Sequence, residues 1–236
     1  MSEHAHSAHI DPLMHVAQPD HPDQVAEARA AAGRAIRDVG HALVGHHAPI
    51  PLLHTVAGSL AALTGQLSAG PLRSRAEVPR DGEWGTPPPD GSVMTSYDER
   101  PVSGRSSPWG LDLTIMRDGD EVVGSLTLRA AHEGAPGRSH GGIVAALFDD
   151  VYGFVLTLQA LPAFTGELSV RYEAGVPIGV PLECRVRLVE TNGRKLSMSG
   201  ELSAGGQVVA RSKALFITIQ PEQFRQGAAQ GQPQGE

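Results

Sequence analysis

Apolar positions recur every three or four residues in two stretches of the first third of the chain. One stretch runs from about Pro22 to Val44, and the other runs from about Leu52 to Leu67. This spacing gathers apolar side chains on one face of an α-helix, so it predicts two helices. The apolar stripe of the second helix is expected to be buried against another surface. It consists of Leu52, Leu53, Val56, Leu60 and Leu63.

From Trp109 onward the period of the pattern changes to two, as in a β-strand with one face in water. The alternating segments lie at residues 111–115, 122–128, 168–172, 182–188, 196–202 and 208–219. Turn signals separate neighbouring segments at Asp118-Gly119, Asn192-Gly193 and Gly205-Gly206. The pattern therefore predicts two strands, an interruption, and four further strands, all antiparallel.

The interruption is a run that is apolar on every side of a predicted helix, from Gly141 to Leu158. A helix of this kind is buried, yet Asp149 and Asp150 stand in its middle. Burying an ionised carboxylate costs several kcal/mol unless the group is paired, so such a position favours a functional group. The run begins with Gly141 and Gly142, whose bare N–H groups suit an oxygen that gains negative charge.

This order of elements predicts an α+β fold in which an antiparallel sheet wraps around one long central helix. We expect a flexible tail at residues 1–20 and a helical extension with a Pro-rich linker at 21–100. The sheet and its helix are expected at 101–220, followed by a disordered tail at 221–236. Because six strands already cover the helix, a chain that starts near Ser103 is expected to fold.

The 236-residue composition excludes several classes of protein. A net charge of −7 argues against nucleic-acid binding, and one cysteine, Cys184, excludes an internal disulfide. The polar, His-rich start does not resemble a signal peptide, and two carboxylates argue against a membrane span in the apolar run. We therefore expect a soluble, cytoplasmic protein. The histidines are too scattered to predict a metal site, and no cofactor is expected.

The string Ser139-His140-Gly141-Gly142, with Asp149 nine residues after the histidine, resembles the hotdog-fold thioesterases. The resemblance is greatest to the branch of the phenylacetate-pathway thioesterase and the human mitochondrial thioesterase-superfamily proteins. It covers about residues 108 to 220 and includes the loop at 133–137. One position departs from some relatives, which carry Asn six residues before the histidine where this chain has Gly134.

The resemblance implies hydrolysis of an acyl-CoA thioester, with roles carried over by position. Asp149 matches the carboxylate that acts as general base or nucleophile, and the N–H of Gly141 matches the group that polarises the carbonyl. His140 matches the histidine that holds the thioester end or orders the loop, and Thr165 matches the residue that positions the attacking water. The predicted substrate-binding residues are Ser139, Gly142 and Asp150.

The spacing along the helix adds a prediction about assembly. Gly141 and Asp149 are separated by about 12 Å at 1.5 Å per residue, too far for both to reach one carbonyl. A second chain with its helix antiparallel brings Gly141 of one subunit beside Asp149 of the other. We therefore expect self-association into a homodimer or homotetramer with shared sites.

Several alternatives stay open at the level of sequence. The two aspartates could be a structural pair, with Asp150 in a polar contact. Thr165 could be an ordinary strand residue, and His140 could pack against the helix start. The basic side chains Arg171, Arg185, Arg187, Arg194 and Lys195 could belong to a wet sheet face. The protein could also be a non-catalytic acyl-CoA-binding hotdog protein, an acyl-carrier-protein thioesterase or, less in keeping with its motif, a hydratase.

Overall fold

The computed structural model describes residues 22–71 and 87–219. The predicted tails at 1–20 and 221–236, and residues 82–86 of the Pro-rich linker predicted at 82–91, lie outside these ranges. Within them are three α-helices, α1 (Pro22–Gly45), α2 (Ile50–Ser68) and α3 (Gly141–Gln159). All three coincide with the helical patterns of the sequence. The long helix α3 ends at Ala160, which adopts a left-handed conformation with φ of 50°.

Seven strands form one antiparallel sheet in the order β1-β2-β3-β7-β8-β9-β6. They are β1 (Val93–Met94), β2 (Thr114–Asp118), β3 (Glu121–Thr127), β6 (Ala163–Tyr172), β7 (Pro181–Asn192), β8 (Lys195–Ala204) and β9 (Gln207–Thr218). A separate hairpin joins β4 (Glu133–Ala135) to β5 (Arg138–Ser139). The predicted antiparallel sheet around one long helix is confirmed.

The periodicity of the sequence did not predict the β4–β5 hairpin or β1, the first strand of the sheet. Strands of two or three residues are too short to show an alternation. Strand β1 pairs with β2 through Val93 and Met94, so the sheet begins before residue 101. Met94 is buried in the core. A chain that starts near Ser103 would lose this strand, which argues against the expectation that it folds unaided.

Helix α3 lies against the inner face of the sheet, and its side chains make the centre of the core. Val144, Leu147, Phe148, Val151 and Val155 have no exposed surface. They pack on inward-facing residues of the long strands, among them Cys184, Val186, Leu196 and Leu202. Burial raises the pKa of the Cys184 thiol, which favours a small core residue over a nucleophile.

Helix α1 is docked on the loop that precedes β2. A Cβ added to Gly33 would overlap the backbone of Ser106, so the two backbones approach as closely as glycine allows. The buried Arg37 side chain donates to the carbonyls of Arg105 and Ser107 and to Asp112 at 3.0, 2.5 and 2.8 Å. By contrast, α2 has no buried residue. The expectation that its apolar stripe is buried is wrong for the single chain.

Candidate active site

The start of α3 is capped by His140. Its backbone is extended, with φ of −64° and ψ of 134°, and its Nδ1 accepts from the Gly142 N–H at 3.0 Å. The carbonyl of His140 accepts from the Ile143 N–H at 3.0 Å. Within residues 22–71 and 87–219, the N–H of Gly141 has no acceptor. The cap therefore orders the loop and leaves one N–H of the first helical turn for a ligand.

Around the start of α3, two glycines lie too close to a neighbouring residue to carry a side chain freely. The Tyr172 hydroxyl donates to the Gly141 carbonyl at 2.7 Å, and a Cβ on this glycine would lie 3.0 Å from the Tyr172 oxygen. A Cβ on Gly134 would lie 2.7 Å from the His140 Cα. An Asn at position 134, as in some relatives of the family it resembles, would therefore displace the His140 loop. The loop conformation therefore requires the glycine at position 134 that distinguishes this chain from those relatives.

Asp149 lies on the exposed side of α3, close to the middle of the helix. Its Oδ1 accepts from the Thr165 hydroxyl at 2.8 Å. Thr165 precedes a β-bulge in the pairing of β6 with β9, between Thr165 and Glu167. Bulges redirect side chains, so this one accounts for a threonine of an outer strand reaching the central helix. The carboxylate is thereby oriented while it stays accessible to water.

Asp150 has the opposite environment. Its side chain is 7% exposed, and its Oδ1 accepts from Arg100 Nε at 2.7 Å. Arg100 also donates to the Asp150 carbonyl at 2.8 Å, and its guanidinium lies 4.6 Å from the centre of the Phe154 ring. Asp150 Oδ2 is buried without a hydrogen-bond partner among the described residues. This burial favours the polar-contact alternative for Asp150 over substrate binding.

Gly153 makes room for this ion pair, because a Cβ there would overlap the Arg100 Nη2. Arg100 lies in residues 92–108, where the sequence shows no period, and it is fifty positions from its partner. No sequence signal identified it. It joins the segment before β2 to the centre of α3, next to Asp149.

The two remaining predicted residues, Ser139 and Gly142, lie at the helix start. The Ser139 hydroxyl donates to the His140 carbonyl at 3.2 Å, and the Gly142 N–H is taken up by the His140 ring. The structure therefore forms two groups on α3, one at its start and one around Asp149 and Thr165. Within one chain they are separated by about 12 Å of helix.

Behind the helix start lies a pair of buried histidines that sequence reasoning did not single out. The rings of His41 in α1 and His132 are 4.6 Å apart, edge to face. Burial, together with the nearby His41 and Arg129, lowers the pKa of His132 to about 4. Burial lowers the pKa of His41 as well. The His132 carbonyl accepts from the His140 N–H at 2.8 Å, which connects this pair to the capped loop.

The basic side chains of the long strands lie on the outer face of the sheet, away from α3. They line an open depression of about 600 Å³ that includes Arg171, Arg185, Arg187, Arg211 and Lys213. Arg185 pairs with Asp118 at 2.6 Å and with Glu121 at 2.9 Å. Because the four arginines have local carboxylate partners, the wet-face interpretation fits them. Among the described residues, no cluster of three or more His, Cys, Asp or Glu could hold a metal ion.

Residues 137–210 match the model of the thioesterase superfamily. The curated relatives include the acyl-coenzyme A thioesterase THEM5 of Mus musculus, 31% identical over 96 residues, and THEM5 of Homo sapiens, 31% identical over 93 residues. These matches cover 40% and 39% of this chain. They span only 39% and 38% of the relatives' own length.

A solved structure of a thioesterase superfamily protein is similar over much more of the chain. It superposes with a TM-score of 0.68 at 27% identity and covers 87% of this chain and 97% of its own. That share exceeds the sheet and α3 alone, so the likeness extends into the N-terminal helices. The match agrees with the resemblance seen in the sequence.

Proposed function

We propose that this chain, whose sheet and central helix form a hotdog domain of the thioesterase superfamily, hydrolyses an acyl-CoA thioester to a free acid and CoA. The observation that carries the proposal is the exposed Asp149 carboxylate, held by Thr165 on a helix whose first N–H, at Gly141, has no acceptor among the described residues. The name of the THEM5 relatives supports the choice of an acyl-CoA substrate.

In the proposed reaction, Asp149 accepts a proton from a water molecule as that oxygen attacks the thioester carbonyl carbon. Thr165 donates to one carboxylate oxygen and thereby orients the other toward the water. The Gly141 N–H donates to the carbonyl oxygen as it becomes an oxyanion, aided by the helix dipole. Collapse of the tetrahedral intermediate breaks the C–S bond, and the proton is returned to the departing thiolate.

We infer that two chains share each site, and β6 supports this inference. This ten-residue strand lies at the edge of the sheet, and its outer edge pairs with no described strand. A long unpaired edge favours strand addition by a second copy. Tyr172, beside Gly141, and Thr165, beside Asp149, stand near opposite ends of β6. If two copies of β6 pair antiparallel about a two-fold axis, Thr165 of one approaches Tyr172 of the other, and so Asp149 approaches the other Gly141.

Replacing Asp149 with Asn tests the base, because Asn keeps the shape and the hydrogen bond from Thr165. We expect the turnover number for acyl-CoA hydrolysis, followed by thiol release, to fall by about 100-fold or more. Thr165→Val leaves the carboxylate but frees its orientation, so its loss should be smaller. The control is Glu167→Gln, which removes an exposed carboxylate from β6, the strand that carries Thr165. Equal losses for Asp149→Asn and Glu167→Gln would contradict the assignment.

A mixing experiment tests the shared site. Chains with Asp149→Asn and chains with a bulky residue at Gly141 should each be inactive. When they are refolded together, heterodimers should contain one intact site and regain activity. Confirmed mixing without recovery would show that each chain works alone.

Gly134 keeps a second candidate open, a binding protein for acyl-CoA that does not hydrolyse it. Its lack of an Asn side chain removes one group that could orient the carbonyl. Calorimetry of the unaltered chain with a panel of acyl-CoAs distinguishes the two, because saturable binding without thiol release would favour this candidate. Release from acyl-carrier protein alone would instead identify a carrier-protein thioesterase.

A further inference from the structure

Helix α2 is exposed along its whole length. None of its 19 residues is buried, and none is Asp, Glu, Lys or Arg. Pro51 is the second residue of the helix, and Gly58 and Gly65 lie in its interior. An isolated helix of this length is marginal in water, and internal glycines weaken it further. The helix therefore needs a partner surface.

The apolar side chains of α2 have the spacing of a helix–helix seam. They are Leu53, Val56, Leu60, Leu63 and Leu67, with steps of three, four, three and four residues. This is the spacing of the core positions of a coiled coil, and it confines the five side chains to one narrow face. The exposed fractions of the four leucines range from 37% to 77%. The opposite face carries small residues such as Gly58, Ala62 and Gly65.

The area and the charge of this surface both favour a second copy of the same helix. With the flanking Ile50 and Leu52, the seam leaves roughly 600 Å² of apolar surface in water, at the upper limit for a monomer. Two such surfaces bury about 1,200 Å² in total, the lower end for a specific interface. A helix without charge neither repels its own copy nor attracts a charged partner.

A lipid surface fits these observations less well. By length and composition, α2 and α3 could each cross a membrane. Half of the apolar stretch of α3 is buried in the fold, whereas no part of the apolar stretch of α2 is buried. Helices that lie on membranes carry Lys or Arg on their polar face and often Trp or Phe on the other. Helix α2 has none of these residues. Its polar face also lacks the cations that bind anionic lipids.

We propose that α2 is a self-association element whose seam packs against the α2 seam of a second copy of this chain. The contact is isologous, so Leu60, at the centre of the seam, faces its own counterpart. It lies on an element other than β6, where the shared-site interface is proposed, and it does not depend on the proposed hydrolysis.

The full-length chain allows a direct test by cross-linking, because its single cysteine, Cys184, is buried. With Leu60→Cys, mild oxidation at low micromolar concentration should join two chains, as seen on a non-reducing gel. The matched control is Ala62→Cys, on the opposite face of the same helix, which should stay single. Equal cross-linking of both variants, or of neither, would overturn the proposal.

A second pair of variants measures the assembly equilibrium, and this measurement does not depend on whether a cross-link forms. Leu60→Glu should raise the concentration for half-assembly in analytical ultracentrifugation by at least about 10-fold, whereas Ala62→Glu should leave it unchanged. The unaltered chain and both variants are then mixed with vesicles of zwitterionic and of anionic phospholipid. If the unaltered chain floats with vesicles and Leu60→Glu abolishes flotation without changing assembly, α2 is a membrane element and the proposal is wrong. If Leu60→Glu changes neither property, the seam is covered within its own chain and the proposal is equally wrong.

Discussion

Replacing Arg100 with Met is expected to destabilise the fold by about 3–5 kcal/mol, the usual cost of leaving one partner of a buried ion pair alone. The Arg100 and Asp150 side chains are 13% and 7% exposed. Two charges about 4 Å apart attract by about 4 kcal/mol at an effective dielectric constant near 20. Asp150 would also lose its only side-chain hydrogen-bond donor among the described residues, because its Oδ2 already has none. The charge attraction and the hydrogen bond belong to the same contact, so their energies are not added to reach the expected 3–5 kcal/mol.

The measurement is urea unfolding followed by circular dichroism. With a slope of about 2 kcal/mol per molar urea, the midpoint should fall by roughly 2 M without a change in slope. Arg187→Met serves as the matched control, because Arg187 is 61% exposed and lies 3.4 Å from Glu121. Pairs of that kind contribute at most about 1 kcal/mol.

A double variant tests the cause of the loss. When Asp150→Leu is added to Arg100→Met, the orphaned carboxylate is removed, so the double variant should be more stable than Arg100→Met alone. A loss for Arg100→Met no larger than that for Arg187→Met would refute the reasoning, as would a double variant less stable than the single one.

Gly153→Ala places a methyl group where the Arg100 guanidinium lies, so it should destabilise the chain about as much as Arg100→Met does. Combined with Arg100→Met in the same urea assay, it should add little further loss, and full additivity would contradict a common origin in the Arg100–Asp150 pair. His132→Gln tests the histidine pair. Because the pKa of His132 is lowered to about 4, its neutral form stabilises the fold fully above about pH 6.5, and that contribution is lost as the pH falls through 4. The unaltered chain should therefore lose about 2–3 kcal/mol more than His132→Gln between pH 6.5 and 4, and parallel curves would refute the assignment.

The repeating parts of the fold could be predicted from the sequence because burial imposes a period. The helix α3 and the strands β7 to β9 each bury a defined set of positions, and the apolar residues of the sequence recur at those positions. The carboxylate choice also follows from geometry, since neighbouring helical residues diverge by about 100° and only one of Asp149 and Asp150 can face the solvent.

The supporting contacts of the site could not be predicted in this way. Arg100 lies in a segment without a period, and its pairing with Asp150 depends on the tertiary fold. The bulge that turns Thr165 toward Asp149 leaves no mark in the hydrophobic pattern. Tyr172 alternates as an inward strand position, which hides its hydroxyl contact with Gly141.

The strand order has a consequence for how the protein emerges from the ribosome. Among the described strands of one chain, β6 pairs with β9 alone, although 34 residues separate the end of β6 at Tyr172 from the start of β9 at Gln207. Until residues 207–218 have been synthesised, β6 has no partner, the apolar α3 is incompletely covered, and Thr165 is not held beside Asp149. Nascent chains stopped before β9 should thus expose apolar surface, depend on chaperones and lack the completed site. Synthesis of the final strand is the step that assembles the carboxylate with its threonine.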